Sequence, residues 1–361
     1  MNLPRRRDIP ALVLVLLSTA GFAAAVFTDG GGGAVRGAVA DSAVAGVLDG
    51  SIAAAIDDAV ERAHPFRGIA VSAIAIPRYL LFRQGNDGVV VGRNGWLFTD
   101  EEIQVHPGDV ARRRRRTAFV VDTVNALAGR GIATVVVAVP SKARVAAHLL
   151  PPRLRGIATD GDFPAFVGDL RSAGVAVVDA GGVLRPELFF ARDTHWRPDG
   201  AGAVAAAVAA EVESRGWNSM ERAAFTIQRD APVLFAGDLR SFVPLGAVAG
   251  PLGLADERYR PVTAERMDGD GGGLFDTPAV PVALVGTSYS ADGRWGFDAF
   301  LKADLRADVL NLAEPGGGPF VPMARYLGGT TIDEVPPQLV VWEIPERYLT
   351  LPGAFLPSTE S

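Results

Sequence analysis

The chain has 361 residues, 48% of them hydrophobic, so it can bury a sizeable core. Its formal net charge of -6 argues against nucleic acid as the main partner, because phosphate binding requires a net basic surface. There is no cysteine, which excludes disulfides, thiolate metal sites and a cysteine nucleophile.

The N-terminal segment predicts membrane anchoring or export. Three arginines at positions 5–7 precede Ile9 to Phe27, a segment of 19 residues that carries no charge and is rich in Leu, Val and Ala. This length is just enough to span a bilayer, and the arginines before it would keep that end in the cytoplasm. We therefore predict a transmembrane helix within residues 1–28. A cleaved signal peptide is the alternative, since Ala23 to Ala25 offer small residues near a cleavage position.

A linker and a single folded domain follow this segment. Residues 29–45 are rich in Gly and other small residues without a pattern that could pack, which predicts a flexible linker. The domain is predicted over residues 46–355, and the helical pattern from Val44 to Ala63 overlaps its start. Short extended segments are expected next, at Tyr79 to Phe82, Val89 to Val91 and Trp96 to Phe98.

From Asp109 onward, predicted helices and strands alternate. The first helix, to about Arg130, carries Arg112 to Arg116, and five consecutive arginines on all sides of a helix are expected to be solvated. The β-branched run Ile132 to Val139 is typical of a parallel strand that helices cover on both faces. Further helices are expected near 164–173, 198–215 and 295–303, and further strands at 175–178, 280–285, 309–312 and 338–342.

This order predicts an α/β fold, a three-layer sandwich around a mainly parallel sheet. Residues 218–277 interrupt the alternation and contain several glycines, including the cluster Gly269 to Gly273. We interpret them as an insertion that forms loops or a small β region over the site.

Among the four histidines, His195 lies in the pattern most suited to catalysis. Side chains two positions apart on an extended chain project to the same side, so the Asp193 carboxylate can reach one ring nitrogen of His195. That contact would fix the tautomer and leave the other nitrogen free as a base. The segment also lies where a loop enters a predicted helix beside the sheet, where sites in open α/β folds form. A histidine of the packed core is the alternative.

A second pattern, Gly286-Thr287-Ser288-Tyr289-Ser290, follows an apolar strand and precedes a predicted helix. Such a turn exposes the Ser288 hydroxyl and aims backbone N–H groups at the same point, as nucleophilic attack on an acyl carbonyl requires. Gly286 lets the turn form without a clashing side chain. An ordinary strand-to-helix turn is the alternative.

Six segments between His64 and Leu349 together resemble the SGNH hydrolase-like domain of alginate O-acetyltransferases of the AlgX/AlgJ type. They are His64-Pro65-Phe66-Arg67, Gly92-Arg93-Asn94-Gly95-Trp96-Leu97-Phe98, Pro140-Ser141-Lys142, Asp193-Thr194-His195-Trp196, Gly286-Thr287-Ser288-Tyr289-Ser290 and Trp342-Glu343-Ile344-Pro345-Glu346-Arg347. In that family the Asp and the His precede the Ser, and the order here agrees. The resemblance implies that Asp193 orients His195, that His195 is the base and that Ser288 is the nucleophile.

The resemblance also implies O-acetylation of a polysaccharide on the periplasmic face of the cell envelope, with acetyl supplied by a membrane-bound O-acyltransferase. Neither a metal nor an organic cofactor is expected. For the substrate-binding wall we expect Tyr289, Trp196 and Arg347. Two alternatives remain open: a carbohydrate acetylesterase, in which water attacks the acyl-enzyme, and a non-catalytic envelope scaffold that binds polysaccharide or the acyltransferase.

Overall fold

The computed structural model describes residues 67–217, 220, 222–267 and 280–353. The predicted anchor, the linker and the helix predicted at Val44 to Ala63 lie outside these residues. Within the described ranges, no helix combines the length and the apolar character needed to cross a membrane.

The chain divides into two units, of which the first includes Arg67–Arg83 and Pro244–Ala249. Helix α1 (Arg67–Phe82) belongs to this unit. The prediction that Tyr79 to Phe82 is extended is wrong, because the helix continues to Phe82. Periodicity alone does not distinguish a short apolar strand from the apolar end of a helix.

The second unit, Gln84–Val243 with the chain from Gly250 onward, contains the strands and the remaining α-helices. Its strands are β1 (Val89–Val91), β2 (Leu97–Thr99), β3 (Ala133–Val139), β4 (Ala176–Asp179), β5 (Phe225–Arg229), β6 (Val233–Phe235), β7 (Glu257–Tyr259), β8 (Val262–Arg266), β9 (Val282–Val285), β10 (Val309–Asn311) and β11 (Leu339–Pro345). Its α-helices are α2 (Asp109–Gly129), α3 (Lys142–Val145), α4 (Arg155–Ala158), α5 (Asp162–Ser172), α6 (Pro198–Ser214), α7 (Ser288–Ala291), α8 (Phe297–Leu305), α9 (Phe320–Gly328) and α10 (Thr331–Glu334).

Five strands form a parallel sheet in the order β10-β9-β11-β3-β4. Strand β11 lies at its centre and pairs with β3 from Leu339↔Ala133 to Pro345↔Val139. Every residue of β9 and β11 is buried. This explains their nearly continuous apolar sequences, since a parallel sheet covered on both faces has no solvated side. The predicted parallel sheet is confirmed.

Helices cover both faces of this sheet. Helices α6 and α8 pack on one face, where Val204 and Leu301 are fully buried. Helices α2, α5 and α9 pack on the other, where Val120, Phe166 and Met323 are fully buried. The predicted three-layer α/β architecture is therefore present, with the additional helix α9 that the sequence pattern did not indicate.

The arginine run on α2 is largely engaged with the protein, so the expectation of a solvated run is wrong. Arg113 and Arg116 are buried. Arg113 forms ion pairs with Asp162 and Asp169, and Arg116 donates to the carbonyl oxygens of Tyr348 and Leu351. Five consecutive positions cover all sides of a helix, so some must face the body on which the helix packs.

The interval between α6 and β9 contains two antiparallel strand pairs, β5 with β8 and β6 with β7. Strands β5 and β8 contact α8. Farther along, the segment at Gly237 and Asp238 reaches the Asp193 loop, because the backbone N–H of Asp238 donates to the Asp193 carboxylate. This small β region therefore contributes to the site described next.

Candidate active site

The predicted site residues meet at the carboxyl edge of the parallel sheet. Ser288 begins α7 directly after β9, and Asp193 and His195 lie in the loop that precedes α6. A helix that follows a strand of a parallel sheet begins at the edge where the strands end, which brings loops distant in sequence together.

An unbroken hydrogen-bonded chain joins the three residues. Asp193 Oδ1 lies 2.7 Å from His195 Nδ1, and His195 Nε2 lies 2.8 Å from Ser288 Oγ. An ionised carboxylate only accepts hydrogen bonds, so Nδ1 carries the proton and Nε2 is free to accept one from the serine. His195 and Ser288 are partly exposed, so a substrate can reach both.

Asp193 is held in its ionised form. Its burial would raise its pKa, but the hydrogen bond and charge of His195 outweigh burial and hold the pKa at about 2. Backbone N–H groups of His195 and Asp238 also donate to the carboxylate, at 2.9 and 2.8 Å. The side chain is therefore a fixed acceptor that orients the imidazole.

Asp238 completes a small acidic cluster with Asp193 and His195. Partial desolvation of the carboxyl and the neighbouring Asp193 charge raise the Asp238 pKa, although the residue as a whole is exposed. Its Oδ1 accepts the backbone N–H of Thr194 at 2.9 Å. Both carboxylates accept backbone N–H groups around the histidine, so the cluster orients the histidine loop.

The turn that carries Ser288 is held by the buried carboxylate of Glu343 on β11. Glu343 Oε2 accepts the N–H of Thr287 at 2.7 Å and the hydroxyl of Ser290 at 3.1 Å, and the Thr287 hydroxyl also donates to the carboxylate. These contacts fix the residues on both sides of Ser288. Burial raises the Glu343 pKa.

Gly286 makes this arrangement sterically feasible. A Cβ atom at this position would lie 2.5 Å from Glu343 Oε2 and 3.0 Å from Ser290 Oγ. Any larger residue would displace the carboxylate from the turn. The side-chain clash that the sequence predicts for position 286 is therefore a clash with Glu343 and Ser290.

The Asp193 loop is held by a buried cation, Lys142. Its ammonium group donates to the carbonyl oxygens of Leu97, Ala191 and Asp193 at 2.6, 3.0 and 2.8 Å, so each of its three protons has an acceptor. Burial lowers the Lys142 pKa to about 8, although Glu102 and Asp193 oppose that shift.

Aromatic rings pack around the histidine. The Trp295 ring stacks on His195 with ring centroids 5.4 Å apart, and the Tyr289 ring lies 4.9 Å from it. Lys142, Glu343, Asp238 and Trp295 were not assigned roles from the sequence. Lys142 and Glu343 do lie within segments that carry the family resemblance, but nothing local marks Asp238 or Trp295.

Two of the three predicted wall residues do not line a cleft. Trp196 is fully buried and Tyr289 is 1% exposed, so the prediction that they contact substrate is wrong. Tyr289 instead donates its hydroxyl to the Thr194 carbonyl at 2.7 Å, which connects the Ser288 turn to the histidine loop. Arg347 packs over the Tyr289 ring and lies 3.5 Å from Glu101, and its contact with substrate stays a prediction.

The parallel sheet between helix layers, with Asp, His and Ser at its carboxyl edge, defines a protein of the SGNH hydrolase-like class. Residues 89–346 match the family model described as the SGNH hydrolase-like domain of the acetyltransferase AlgX. The chain therefore belongs to the AlgX-type family of SGNH hydrolase-like proteins.

Relatives with similar sequences are described as probable alginate O-acetylases AlgJ. The protein from Pseudomonas putida is 35% identical over 315 residues, which cover 84% of this chain and 81% of the relative. The protein from Pseudomonas aeruginosa is 34% identical over 319 residues, with the same two coverages of 84% and 81%.

Solved structures agree with these relatives. The O-acetyltransferase domain of Pseudomonas putida AlgJ matches with a TM-score of 0.67 at 34% identity, covering 75% of this chain and 96% of that domain. Pseudomonas aeruginosa AlgX matches with a TM-score of 0.55 at 23% identity, covering 71% of this chain and 62% of that one, which supports the fold alone.

Proposed function

We propose that this protein is a polysaccharide O-acetyltransferase that transfers acetyl through an acetyl-Ser288 intermediate, with His195 as base and Asp193 as its orienting carboxylate. The observation that carries the proposal is the hydrogen-bonded chain Asp193–His195–Ser288, with contacts of 2.7 and 2.8 Å. The AlgJ relatives and the solved AlgJ O-acetyltransferase domain support acetyl transfer as the reaction.

In the first half-reaction, Ser288 Oγ attacks the carbonyl carbon of the acetyl donor while His195 Nε2 takes the hydroxyl proton. The tetrahedral intermediate collapses, the leaving group takes the proton from His195, and the acetyl ester of Ser288 remains. In the second half-reaction, a sugar hydroxyl gives its proton to His195 and attacks the ester. Ser288 then recovers its proton, and the acetylated sugar leaves.

The negative oxygen of each intermediate requires hydrogen-bond donors. The N–H groups of Thr287 and Ser290 are used within the turn, and the N–H of Tyr289 faces the Thr287 hydroxyl at 3.3 Å. The backbone N–H of Ser288 has no acceptor within the described part of the chain, and we assign it as the first oxyanion donor.

The proposal extends to location and partners. An uncharged segment from Ile9 to Phe27 behind three arginines supports an anchor that exposes the domain on the extracytoplasmic, periplasmic face. A membrane-bound O-acyltransferase would supply acetyl there, and a polysaccharide related to the alginate named for the AlgJ relatives would accept it. Protease protection of the intact chain in sealed membrane vesicles tests the orientation.

The test of the chemistry is the intact mass of the purified chain after incubation with an activated acetyl ester. Wild type should gain one acetyl group, Ser288→Ala should gain none, and added oligosaccharide should remove the acetyl and become acetylated. Release of free acetate at the same rate with or without sugar would establish the esterase instead. Absence of both acylation and ester turnover would favour the scaffold.

A further inference from the structure

The indole of Trp295 lies against the imidazole of His195. The two ring centroids are 5.4 Å apart and the two ring planes differ by 25°, which is a stacked arrangement. Trp295 is fully buried, whereas His195 is partly exposed. The face of an indole attracts a cation that lies within about 6 Å of its centroid, because the π electrons make that face negative. Trp295 is therefore placed to interact with His195 whenever the imidazole is protonated.

Each half-reaction of the proposed mechanism creates a positive charge on this imidazole. His195 Nε2 takes a proton from Ser288 or from the sugar hydroxyl, while Nδ1 stays protonated and hydrogen-bonded to Asp193. The Asp193 carboxylate contacts the imidazolium at a ring nitrogen, and the indole contacts it at a ring face. The charge thus has two separate sources of stabilisation, and the second requires no hydrogen bond.

The position of the Trp295 ring is set by packing. Its Nε1–H has no acceptor within the part of the chain that the structure describes. The rings of Phe190, Phe235 and Tyr259 surround it at centroid distances of 5.2, 5.5 and 5.9 Å. Phe235 belongs to β6 and Tyr259 to β7, and these two strands pair with each other. The β6–β7 strand pair therefore helps to determine where the indole lies relative to His195.

Other titratable groups also face His195. They are Asp193 and Asp238 from the orienting network, Tyr289 from α7, and Asp292 directly after α7. Burial raises the Tyr289 pKa, so its hydroxyl stays neutral.

Asp292 carries its own cation. Partial burial would raise the Asp292 pKa, but the hydrogen bonds and charge of Arg294 outweigh burial and hold that pKa below its ordinary value. The Arg294 guanidinium also lies 4.8 Å over the Trp295 ring. Because Arg294 and Asp292 form an ion pair, together they add little net charge beside the imidazole. A substitution at Trp295 leaves all of these groups in the chain, so it changes only the aromatic face.

We propose that Trp295 is a positioning residue that stabilises the protonated form of His195 through its ring face, and that the β6–β7 strand pair holds the indole in place. The proposal rests on the proposed function in taking His195 as the base. Acetylation of Ser288 then depends on an aromatic face at position 295, and not only on the volume that fills this position.

The test is the rate of Ser288 acetylation of the full chain by an activated acetyl ester, measured below the pH of about 8 at which Lys142 titrates. This rate should rise with pH as His195 loses its proton, so the midpoint of the rise reports how stable the protonated form is. In Trp295→Leu, we expect the midpoint to fall by about 0.5 to 1 pH unit and the plateau rate to fall about threefold to tenfold. Trp295→Phe keeps a weaker aromatic face and should give an intermediate shift.

Phe235→Leu tests the role of the strand pair and remains informative if Trp295→Leu does not fold. It should shift the midpoint in the same direction by a smaller amount. The same substitution in the Trp295→Leu background should add no shift, because the strand pair acts on His195 through the indole. The control variant Phe166→Leu shortens a fully buried ring on the other face of the sheet, and it should lower stability without moving the midpoint.

A slower rate in Trp295→Leu with an unchanged midpoint would mean that the indole only fills space, and it would overturn the proposal. A higher midpoint would overturn it as well, since the indole would then act by excluding water from the imidazole. If the wild type is not acetylated at all, the proposed function fails. An NMR titration of the His195 ring, assigned with His195→Gln, then still measures how Trp295→Phe and Trp295→Leu change the protonation midpoint.

Discussion

The carboxylate of Glu343 accepts the backbone N–H of Thr287 at 2.7 Å, so a buried acid on the central strand holds the residue that precedes Ser288. Lys142 holds the Asp193 loop as a donor where Glu343 is an acceptor, because its ammonium group donates to the Asp193 carbonyl oxygen at 2.8 Å. Two buried groups of opposite charge thus support the two segments that the His195–Ser288 hydrogen bond connects.

Removing the Glu343 carboxylate should loosen the turn that carries Ser288. Glu343→Ala leaves the buried Thr287 N–H without an acceptor, and we expect the free energy of unfolding to fall by about 2–3 kcal/mol. The initial rate of acetyl-ester hydrolysis should fall as well. Glu343→Gln keeps one oxygen to accept that N–H, and it should retain most of the stability and most of the hydrolysis rate. Urea unfolding and ester kinetics provide the measurements, and a fully active Glu343→Ala would show that the turn needs no support from β11.

Gly286→Ala tests the space beside Glu343. The new Cβ would lie 2.5 Å from Glu343 Oε2, so the carboxylate or the turn must move. We expect a loss of about 1–3 kcal/mol in stability together with slower acylation of Ser288. Gly293→Ala is the matched control, because a Cβ at that position meets nothing within 4 Å. Equal behaviour of the two variants in thermal unfolding and acylation assays would contradict the steric explanation.

Asp193→Asn should alter both catalysis and the pH dependence of stability. The variant removes the acceptor that fixes the His195 tautomer, and we expect the transfer rate at neutral pH to fall by about 10³-fold or more. The folded pKa of about 2 lies below the ordinary 3.8, so ionised Asp193 stabilises the fold above pH 3.8. That contribution, about 2 kcal/mol, is lost as the pH falls from about 4 to about 2.

Denaturant unfolding of wild type and Asp193→Asn at a series of pH values below 5 measures this contribution. The stability advantage of wild type should shrink as the pH falls. A constant difference between the two proteins across this range would mean that Asp193 titrates normally in the folded state.

The buried arginine of α2 should matter more than its exposed neighbour. Arg116→Met removes the donor to the carbonyl oxygens of Tyr348 and Leu351, and we expect a loss of about 2 kcal/mol in stability. Arg115→Met changes an exposed position of the same helix and should cost less than about 0.5 kcal/mol. Paired thermal unfolding of the two variants is the measurement. A loss of stability in Arg116→Met as small as that in Arg115→Met would support the interpretation of a solvated run.

Much of the fold follows from local patterns in the sequence. The apolar runs that became β3, β9 and β11 predict buried parallel strands, because no polar face remains for solvent. The contact between Asp193 and His195 is also local, since the two residues lie two positions apart and the His195 backbone N–H donates to the same carboxylate. The errors arose where local signals are ambiguous, as in the short apolar run from Tyr79 to Phe82, or where burial was unknown, as for Trp196.

By itself, the sequence determined the layer architecture, the Asp-His-Ser order and the strand-to-helix turn that presents Ser288. Only the tertiary structure decided what surrounds those residues. Glu343 supports the Ser288 turn because β11 lies beside β9, and Lys142 supports the Asp193 loop because α3 follows the neighbouring strand β3. Hydrophobic periodicity specifies which face of a strand is buried but not which strand is its neighbour, so contacts between distant segments appear only after the sheet has assembled.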